Sequence, residues 1–311
     1  MHILAINDDG PPSQQSSPYV HSFVLALQAA GHIVSVILPH QQRSWISKAH
    51  FVGQITKPTY FRPGTVHHDD GTTHPEPVGE DEDVEEWVLI NGTPASCAQL
   101  GLFHFFRSRG PVDLVISGPN YGRNATSLFN LSSGTIGGAM EGAVCGKKAV
   151  ALSFAFESRD HVPELIAGAS RHAVRLIEYL VTKWPADVDL YNINVPLIDG
   201  IAEKKVLYTN ALQNHWTMGS SFEEVDAVDE GKMEPGRREK EIRQETMPAD
   251  EENQRKHVRH QHRHFKWAPK FADVKQSVAA SEPGNDGWAI LQGYTRYAES
   301  MLAYDNLLIQ G

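Results

Sequence analysis

Residues 2–38 read as strand, helix, strand, and that opening restricts the fold more than any other stretch of the chain. HILAI (2–6) is a short apolar run that stops at Asn7-Asp8-Asp9-Gly10, as a buried strand does on meeting a turn. YVHSFVLALQAA (19–30) carries apolar residues at helical spacing and ends at Gly31. HIVSVIL (32–38) is a second apolar run, closed by Pro39. Two buried strands joined through a helix lie parallel, so the chain should build a parallel sheet with helices on its faces, a three-layer α/β arrangement.

The alternation continues. WVLI (87–90) reads as a strand and 94–107 as a helix. VDLVIS (112–117) is a strand, followed by a polar loop and a helix from about Gly134 to Cys145. KAVALSF (148–154) is a strand, 162–183 a long amphipathic helix and LYNINV (190–195) a further strand. Two stretches depart from the pattern: residues 66–86, with the acidic run GEDEDVEE, and residues 219–263, dense in charge and poor in apolar residues. Both read as polar surface insertions. Apolar character returns in GWAILQGYTRYAESMLAYDNLL (287–308), which suits strands or an arm for this subunit or a neighbour. We expect a single domain over 1–311, with a core over 1–200, the two insertions, and a C-terminal arm over 264–311.

Composition narrows the function. The formal net charge is −10, so there is no basic field to favour nucleic acid or an anionic membrane. An acidic chain that handles an anionic substrate needs local help, from a metal ion or from backbone N–H groups. Two cysteines, Cys97 and Cys145, are too few for a disulfide framework and suit a reducing compartment. No apolar run reaches the ~20 residues of a membrane span. A first strand that begins at His2 leaves no room for a secretory signal, so a cytoplasmic protein is expected.

In an open parallel sheet, ligands gather at the carboxyl ends of the strands. Four polar clusters fall there: Asn7-Asp8-Asp9-Gly10, HQQRSW (40–45), SGPNYGRN (117–124) and SSGTIGGAMEG (132–142). Asp8 and Asp9 offer anionic oxygens, Asn120 an amide carbonyl and Ser44 a hydroxyl. Such an oxygen-only set suits Mg²⁺, Mn²⁺ or Ca²⁺, and a cation would relieve the repulsion between adjacent carboxylates. In the fourth cluster Ser133 can cap a helix. Gly134, Thr135, Gly137 and Gly138 are small enough to let a ligand reach the backbone, and a helix N-terminus binds phosphate without lysine or arginine. Metal beside phosphate implies phosphoryl transfer to water. The ion would polarise a phosphoryl oxygen and acidify a coordinated water, while N–H groups and Asn124 steady the developing charge. Either aspartate could accept the water's proton.

Taken together, ILAINDDG, RSW, VLINGTPASCAQLGL, VDLVISGPNYGRN, SSGTIGGAMEG and YNINVP resemble, in order, the motifs of the SurE survival-protein family, over residues 2–196. These are metal-dependent phosphatases of nucleoside 5′- and 3′-monophosphates. NDDGPPSQQSSPY and PHQQRSWISKAH resemble the fungal branch in particular, which includes acid phosphatases and domains fused to a tubulin-tyrosine-ligase-like partner. The resemblance implies a Rossmann-like core, a homodimer or homotetramer, and C-terminal segments exchanged between subunits. It puts metal ligands on Asp8, Asp9, Ser44 and Asn120, with Asp8, Asp9 and Asn120 catalytic. Phosphate binding falls on Asn124, Ser133, Gly134 and Thr135. The chain departs from the bacterial pattern at Pro119, which stiffens the approach to Asn120, and at Trp45, which would narrow the site or stack on a base. TRYAESMLAY replaces the usual C-terminal Ser-Val-Thr-Pro-Leu.

The expectation is therefore a phosphomonoesterase that uses Mg²⁺ or Mn²⁺ and acts on nucleoside monophosphates or other phosphate monoesters. The alternative is a non-catalytic nucleotide- or metal-binding module on the same fold. A nicotinamide dehydrogenase is excluded, because the first βα turn lacks Gly-x-Gly-x-x-Gly and places two negative charges where pyrophosphate would lie. Other polar residues read more plainly. His257, His260, His262 and His264 belong to a solvated, charge-mixed loop, and Glu141 to a structural carboxylate. Asn192 and Asn194 suit backbone support near the sheet edge. Arg43 and Lys48 suit either substrate attraction or solubilising charge, and Trp216 and Met218 either a base contact or a buried edge.

Overall fold

The computed structural model describes residues 1–79, 84–156, 160–225 and 263–300. Its first elements are β1 (His2–Ile6), α1 (Val20–Ala29) and β2 (Ile33–Pro39), as the opening pattern implies. Next come β3 (Pro58–Arg62), β4 (Thr72–His74), β5 (Trp87–Ile90) and α2 (Pro94–Leu100). The central run is β6 (Leu114–Tyr121), α3 (Thr126–Ser132), α4 (Gly134–Val144), β7 (Lys148–Ala155), α5 (Pro163–Thr182) and β8 (Leu190–Pro196). The C-terminal part supplies β9 (Val206–Tyr208), β10 (Phe222–Val225), β11 (His264–Trp267), α6 (Ala272–Ala279), α7 (Asp286–Leu291) and β12 (Thr295–Ser300).

Ten strands form one sheet in the order β4-β3-β5-β2-β1-β6-β7-β8-β12-β9. From β5 to β8 every pair is parallel. Side chains alternate across the sheet, so β1 serves both faces. Ile3 and Ala5 join the core under α1 and α5, whereas Leu4 and Ile6 join the core under α2 and α4. The chain leaves β1 toward β2 on one side and reaches β6 on the other. The strand order therefore reverses beside β1, and the crevice at the carboxyl ends of β1 and β6 is the switch point where open α/β sheets hold ligands.

Several elements differ from the sequence reading. The helix expected over 94–107 is α-helical only to Leu100; Gly101–Phe105 widens into a π-turn and Arg107–Arg109 tightens into a 3₁₀ turn. Strand β6 runs four residues past Ser117, through the stretch read as loop, with a register shift between Ser117 and Asn120. Gly118 permits this: its φ is 126°, and a Cβ there would collide with the Leu152 carbonyl of the neighbouring strand. Helix α3 has no apolar stripe of its own and was not foreseen.

The stretch 66–86 is not wholly surface loop, since β4 pairs with β3 at the sheet edge. In the stretch 219–263, β10 is formed and pairs antiparallel with β11, which follows the stretch. His257, His260 and His262 lie outside the described residues, and His264 lies on β11. In the C-terminal region β12 enters this chain's own sheet between β8 and β9. β8 is thereby an interior strand, so Asn192 and Asn194 are not at a sheet edge. Among the described residues no helix is long and apolar enough to cross a membrane.

Candidate active site

Asn7 shapes the loop after β1. Its side-chain amide donates to the Gly10 carbonyl (2.8 Å) and to Ser17 Oγ (3.2 Å), and its Oδ1 accepts from Gly10 N–H (2.9 Å). This closed turn, with Gly10 at φ 89°, presents Asp8 and Asp9 to the crevice; each is 2% exposed. The Thr135 hydroxyl donates to Asp8 Oδ1 at 2.6 Å. Tyr121 N–H donates to Asp9 Oδ2 at 2.6 Å, and Gln42 Nε2 to Asp9 Oδ1 at 3.4 Å.

Those bonds tie the other three clusters to the carboxylates. Tyr121 follows Asn120 directly. The Asn120 amide nitrogen donates to the Gly122 carbonyl at 2.7 Å, which commits the nitrogen and leaves Oδ1 for another partner. Ser44 follows Arg43, whose N–H donates to the Asp8 carbonyl at 2.6 Å. Its hydroxyl oxygen is sealed from solvent and has no hydrogen-bond partner among the described residues. Gly134 lies so close that a Cβ there would stand 2.9 Å from Asp8 Oδ2 and 3.0 Å from the Arg43 carbonyl.

Helix α4 begins in this crevice. Ser133 is its N-cap, with Oγ accepting from Ile136 N–H at 3.1 Å, so the cap read from sequence is present. The N–H groups of Gly134 and Thr135 lie in the first turn, where no intrahelical acceptor exists. Thr135 thus keeps an N–H without an intrahelical acceptor while its hydroxyl serves Asp8.

The loop carrying Ser44 is clamped onto α4. Lys48 Nζ lies 2.6 Å from Glu141 Oε2, and Gln99 Nε2 donates to Glu141 Oε1 at 2.6 Å. Burial works against ionisation of Glu141, but the bonds from Lys48 and Gln99 outweigh it and hold its pKa below the usual range. Glu141 is thus a structural carboxylate, as read, and Lys48 is spent on it. Arg43 is likewise engaged, with Asn91 Oδ1 at 3.0 Å, the Gly92 carbonyl at 3.3 Å and the Phe51 ring below it. Trp45 (φ 62°) and Ser47 (φ 54°) hold left-handed backbone on either side of Ile46. Trp45 is fixed there by an aromatic cluster of Phe129, Trp267 and Phe271, with ring centroids at 5.7, 4.6 and 5.8 Å. Ser47 is fixed by bonds to the Ser132 and Leu131 carbonyls. Trp216 touches the same cluster through Phe271, whereas Met218 is 45% exposed.

Asn124 sits deeper. Its side-chain nitrogen donates to Ser153 Oγ at 3.0 Å, and its N–H donates to Asn194 Oδ1 at 2.9 Å. Its carbonyl accepts from Asn192 Nδ2, Asn194 Nδ2 and Arg296 Nη2. Asn192 and Asn194 therefore support backbone, as read. Arg296 was not anticipated. It is fully buried on β12, 3.9 Å from the equally buried Asp286, which accepts from Thr126 N–H at 2.8 Å. Burial lowers its pKa to about 10 against the opposing pull of Asp286, so it stays charged at neutral pH.

Of the eight residues singled out from the sequence, Asp8, Asp9, Ser44, Asn120, Ser133, Gly134 and Thr135 thus lie on four segments joined by the contacts above, whereas Asn124 is tied to β7 and β8 through Ser153 and Asn194. The donors offered by Asp8, Asp9, Asn120 and Ser44 are all oxygen, and no group of three His, Cys, Asp or Glu side chains suited to a metal occurs among the described residues. The orphaned Ser44 hydroxyl and the amide carbonyl of Asn120 fit a hard divalent cation between the carboxylates. Sequence reasoning missed Asn7, Gln42 and Arg296. For Asn7 the signal was present in the Asn-x-x-Gly turn; for Arg296 there was none.

The fold and the crevice define a Rossmann-like α/β protein with an acidic, oxygen-lined site at the topological switch point. The family described as "Survival protein SurE" matches residues 3–218, and this chain belongs to it. It is 34% identical over 310 residues to "Probable tubulin--tyrosine ligase PBY1" of Saccharomyces cerevisiae, covering 89% of this chain and 37% of that protein. It is 31% identical over 199 residues to "5'-nucleotidase SurE" of Nostoc sp., covering 64% of this chain and 65% of that protein. The chain thus spans less than two thirds of the length of either relative. The crystal structure of the SurE protein from Aquifex aeolicus superposes with a TM-score of 0.63 at 21% identity, covering 100% of this chain and 97% of that one; this likeness bears on the fold.

Proposed function

We propose that this chain is a metal-dependent phosphomonoesterase that hydrolyses nucleoside 5′- or 3′-monophosphates or related phosphate monoesters. The observation that carries the reading is the buried pair Asp8 and Asp9, bonded to Thr135, Tyr121 and Gln42 from three other segments, together with a Ser44 hydroxyl that is sealed from solvent and has no hydrogen-bond partner among the described residues. It is supported by the 5′-nucleotidase name of the Nostoc relative. The ligase name of the yeast relative covers a protein of which this chain matches 37%.

Asp8, Asp9, Ser44 and Asn120 would hold Mg²⁺ or Mn²⁺. When bound, such an ion polarises a phosphoryl oxygen and makes water a better nucleophile. The remaining work belongs to the chain. The Thr135 hydroxyl and Tyr121 N–H hold the two carboxylates in place, and Asp8 or Asp9 is the base available for a water proton. The first N–H groups of α4, at Gly134 and Thr135, grip the phosphoryl oxygens as charge builds on them, and Asn124 would add the one side-chain amide hydrogen that its bond to Ser153 leaves over. Ser133 keeps that helix start in shape. Assembly into a homodimer or homotetramer and a cytoplasmic location belong to the same proposal.

The test is phosphate release from 5′-AMP and p-nitrophenyl phosphate with Mg²⁺ or Mn²⁺, before and after EDTA. We expect release that EDTA abolishes. Asp8→Asn should cost more than the roughly 10–100-fold that loss of an outer-sphere partner costs. Metal-independent release, no release, or near-normal turnover by Asp8→Asn would overturn the proposal; no release with nucleotide still bound would favour the binding-module alternative.

A further inference from the structure

Resting on that reading of the site, we infer that Trp267 is a positioning residue for metal binding, which by packing on Trp45 holds the backbone turn that presents Ser44. The loop that carries Ser44 is tied at both ends. Arg43 N–H donates to the Asp8 carbonyl at 2.6 Å, and Ser47 N–H donates to the Ser132 carbonyl at 3.0 Å. The Ser47 hydroxyl adds a bond to the Leu131 carbonyl at 2.8 Å. These ties join the loop to the turn after β1 and to the end of α3, and Ser44 and Trp45 stand between them.

Trp45 holds a φ of 62°. A left-handed backbone crowds the Cβ against the following carbonyl, and a bulky residue keeps it only where its surroundings impose it. Ser47, at φ 54°, has hydrogen bonds to impose it. Trp45 has the rings of Trp267, Phe129 and Phe271. Trp267 is the nearest of the three, with its centroid 4.6 Å away and its plane at 65°, the edge-to-face geometry that aromatic pairs favour. Without the Trp267 ring, Trp45 loses its closest support and relaxes toward ordinary backbone. The peptide that joins it to Ser44 turns with it. A hard cation binds oxygen at short, fixed distances, so a displaced hydroxyl is a weakened ligand.

Trp267 can impose that conformation because it is itself held. It lies on β11 opposite Phe222 of β10, and Ala268 N–H donates to the Ser221 carbonyl at 2.9 Å. A two-stranded sheet is marginal by itself, so its seat comes from packing. Phe271, just before α6, completes that seat, with its ring 6.0 Å from Phe129 and 6.4 Å from Trp216. Helix α6 is tied down through Asp273, which accepts from Thr217 N–H at 2.8 Å and Met218 N–H at 2.9 Å. Asn214 donates to Ser277 on α6 at 3.1 Å and accepts from Leu128 N–H on α3 at 3.2 Å. Helix α3 runs directly into Ser133, so the ring cluster is continuous with the start of α4 as well as with the Ser44 loop. Both β11 and α6 lie past residue 218, where the family match ends, so this support comes from the chain's own C-terminal part.

The experiment measures Mn²⁺ affinity by titration calorimetry on metal-stripped protein, with the urea midpoint of each sample and its KM for 5′-AMP and p-nitrophenyl phosphate. We expect Trp267→Ala to raise the Mn²⁺ dissociation constant about tenfold, the lower end of the range for an outer-sphere partner, and Trp267→Phe to recover most of the loss. Trp267→Leu keeps apolar bulk should the alanine unfold the strand pair, and it should weaken binding in the same direction. Phe265→Ala, two residues away on the same strand and 56% exposed, should bind as wild type does. Glycine takes a left-handed backbone without strain, so in a Trp45→Gly background the further change Trp267→Ala should alter the constant by less than about twofold. A merely structural role would lower the urea midpoint and leave the Mn²⁺ affinity of the folded protein unchanged. That result, or a tenfold loss that persists in the Trp45→Gly background, would overturn the inference. So would a rise in KM confined to 5′-AMP at unchanged Mn²⁺ affinity, which would make Trp267 a base contact. A wild type that takes up no Mn²⁺ would bring down the proposed function itself, whereas equal uptake by wild type and Trp267→Ala would bring down only the positioning role.

Discussion

Asp8 and Asp9 show what single residues disclose. Two adjacent carboxylates after a buried strand are an electrostatic problem visible in the sequence, and the solution is visible too, in oxygen donors on other strand ends. How each carboxylate is held was not visible. Asp8 takes the Thr135 hydroxyl, from a cluster that the sequence assigns to phosphate, and Asp9 takes a backbone N–H that no side-chain pattern reveals. The consequence is testable at Thr135. Thr135→Val keeps the shape but removes the donor to Asp8, and we expect metal affinity to fall by roughly 10–100-fold, with Thr135→Ser close to wild type. Titration calorimetry with Mn²⁺ on stripped protein measures it. Equal affinities in Thr135→Val and wild type would show that Asp8 is oriented by other groups.

Among the elements, α4 and the loop that crosses it decide whether the site exists. Gly137 sits where the loop passes over the helix, and a Cβ there would collide with the Ser47 carbonyl and stand 2.7 Å from Lys48 N. Backbone must therefore move. Gly137→Ala should destabilise by about 1–3 kcal/mol, as overpacking does, and weaken metal binding by shifting Ser44. Gly168, inside α5, has nothing nearer than Ile201 Cγ2 at 4.0 Å, so Gly168→Ala should stabilise by about 0.5–1 kcal/mol without touching the site. Urea unfolding of the two variants gives opposite signs if the packing argument holds. The strands and most helices of the core were legible because their apolar periodicities are local. Helix α2 gives way to a π-turn at Gly101, which packs against Leu4 and Ile37, and β6 runs on through Gly118-Pro119, where Gly118 lets the backbone pass close to the Leu152 carbonyl; neither contact is local in sequence.

Across the whole molecule, buried histidines set the acid limit. His21 and His172 are buried, and desolvation chiefly lowers both pKa values; Arg175 lowers His172 further, and carboxylates only partly offset the shifts. A folded pKa below the unfolded value of about 6.5 means that the unfolded chain binds protons first as pH falls. Stability is then complete above about pH 6.5 and declines as pH drops below it, toward the folded pKa values. The urea midpoint should therefore fall between about pH 7.5 and about pH 5.5, and His172→Gln should flatten the fall. A midpoint that rises with acid would reverse the sign and defeat the argument.

The sequence by itself determined the parallel α/β class, the first crossover, the cap at Ser133 and the residue types that line the crevice, because each follows from periodicity or from chemistry within a few positions. Only the tertiary structure decided that β12 enters the sheet beside β8 and carries Arg296 to the Asn124 carbonyl, and that the buried Ser44 hydroxyl has no hydrogen-bond partner among the described residues. These depend on which strands pair and on which atoms lose contact with water. Strand pairing is a contest among distant segments of similar apolar character, and burial is a property of the packed whole.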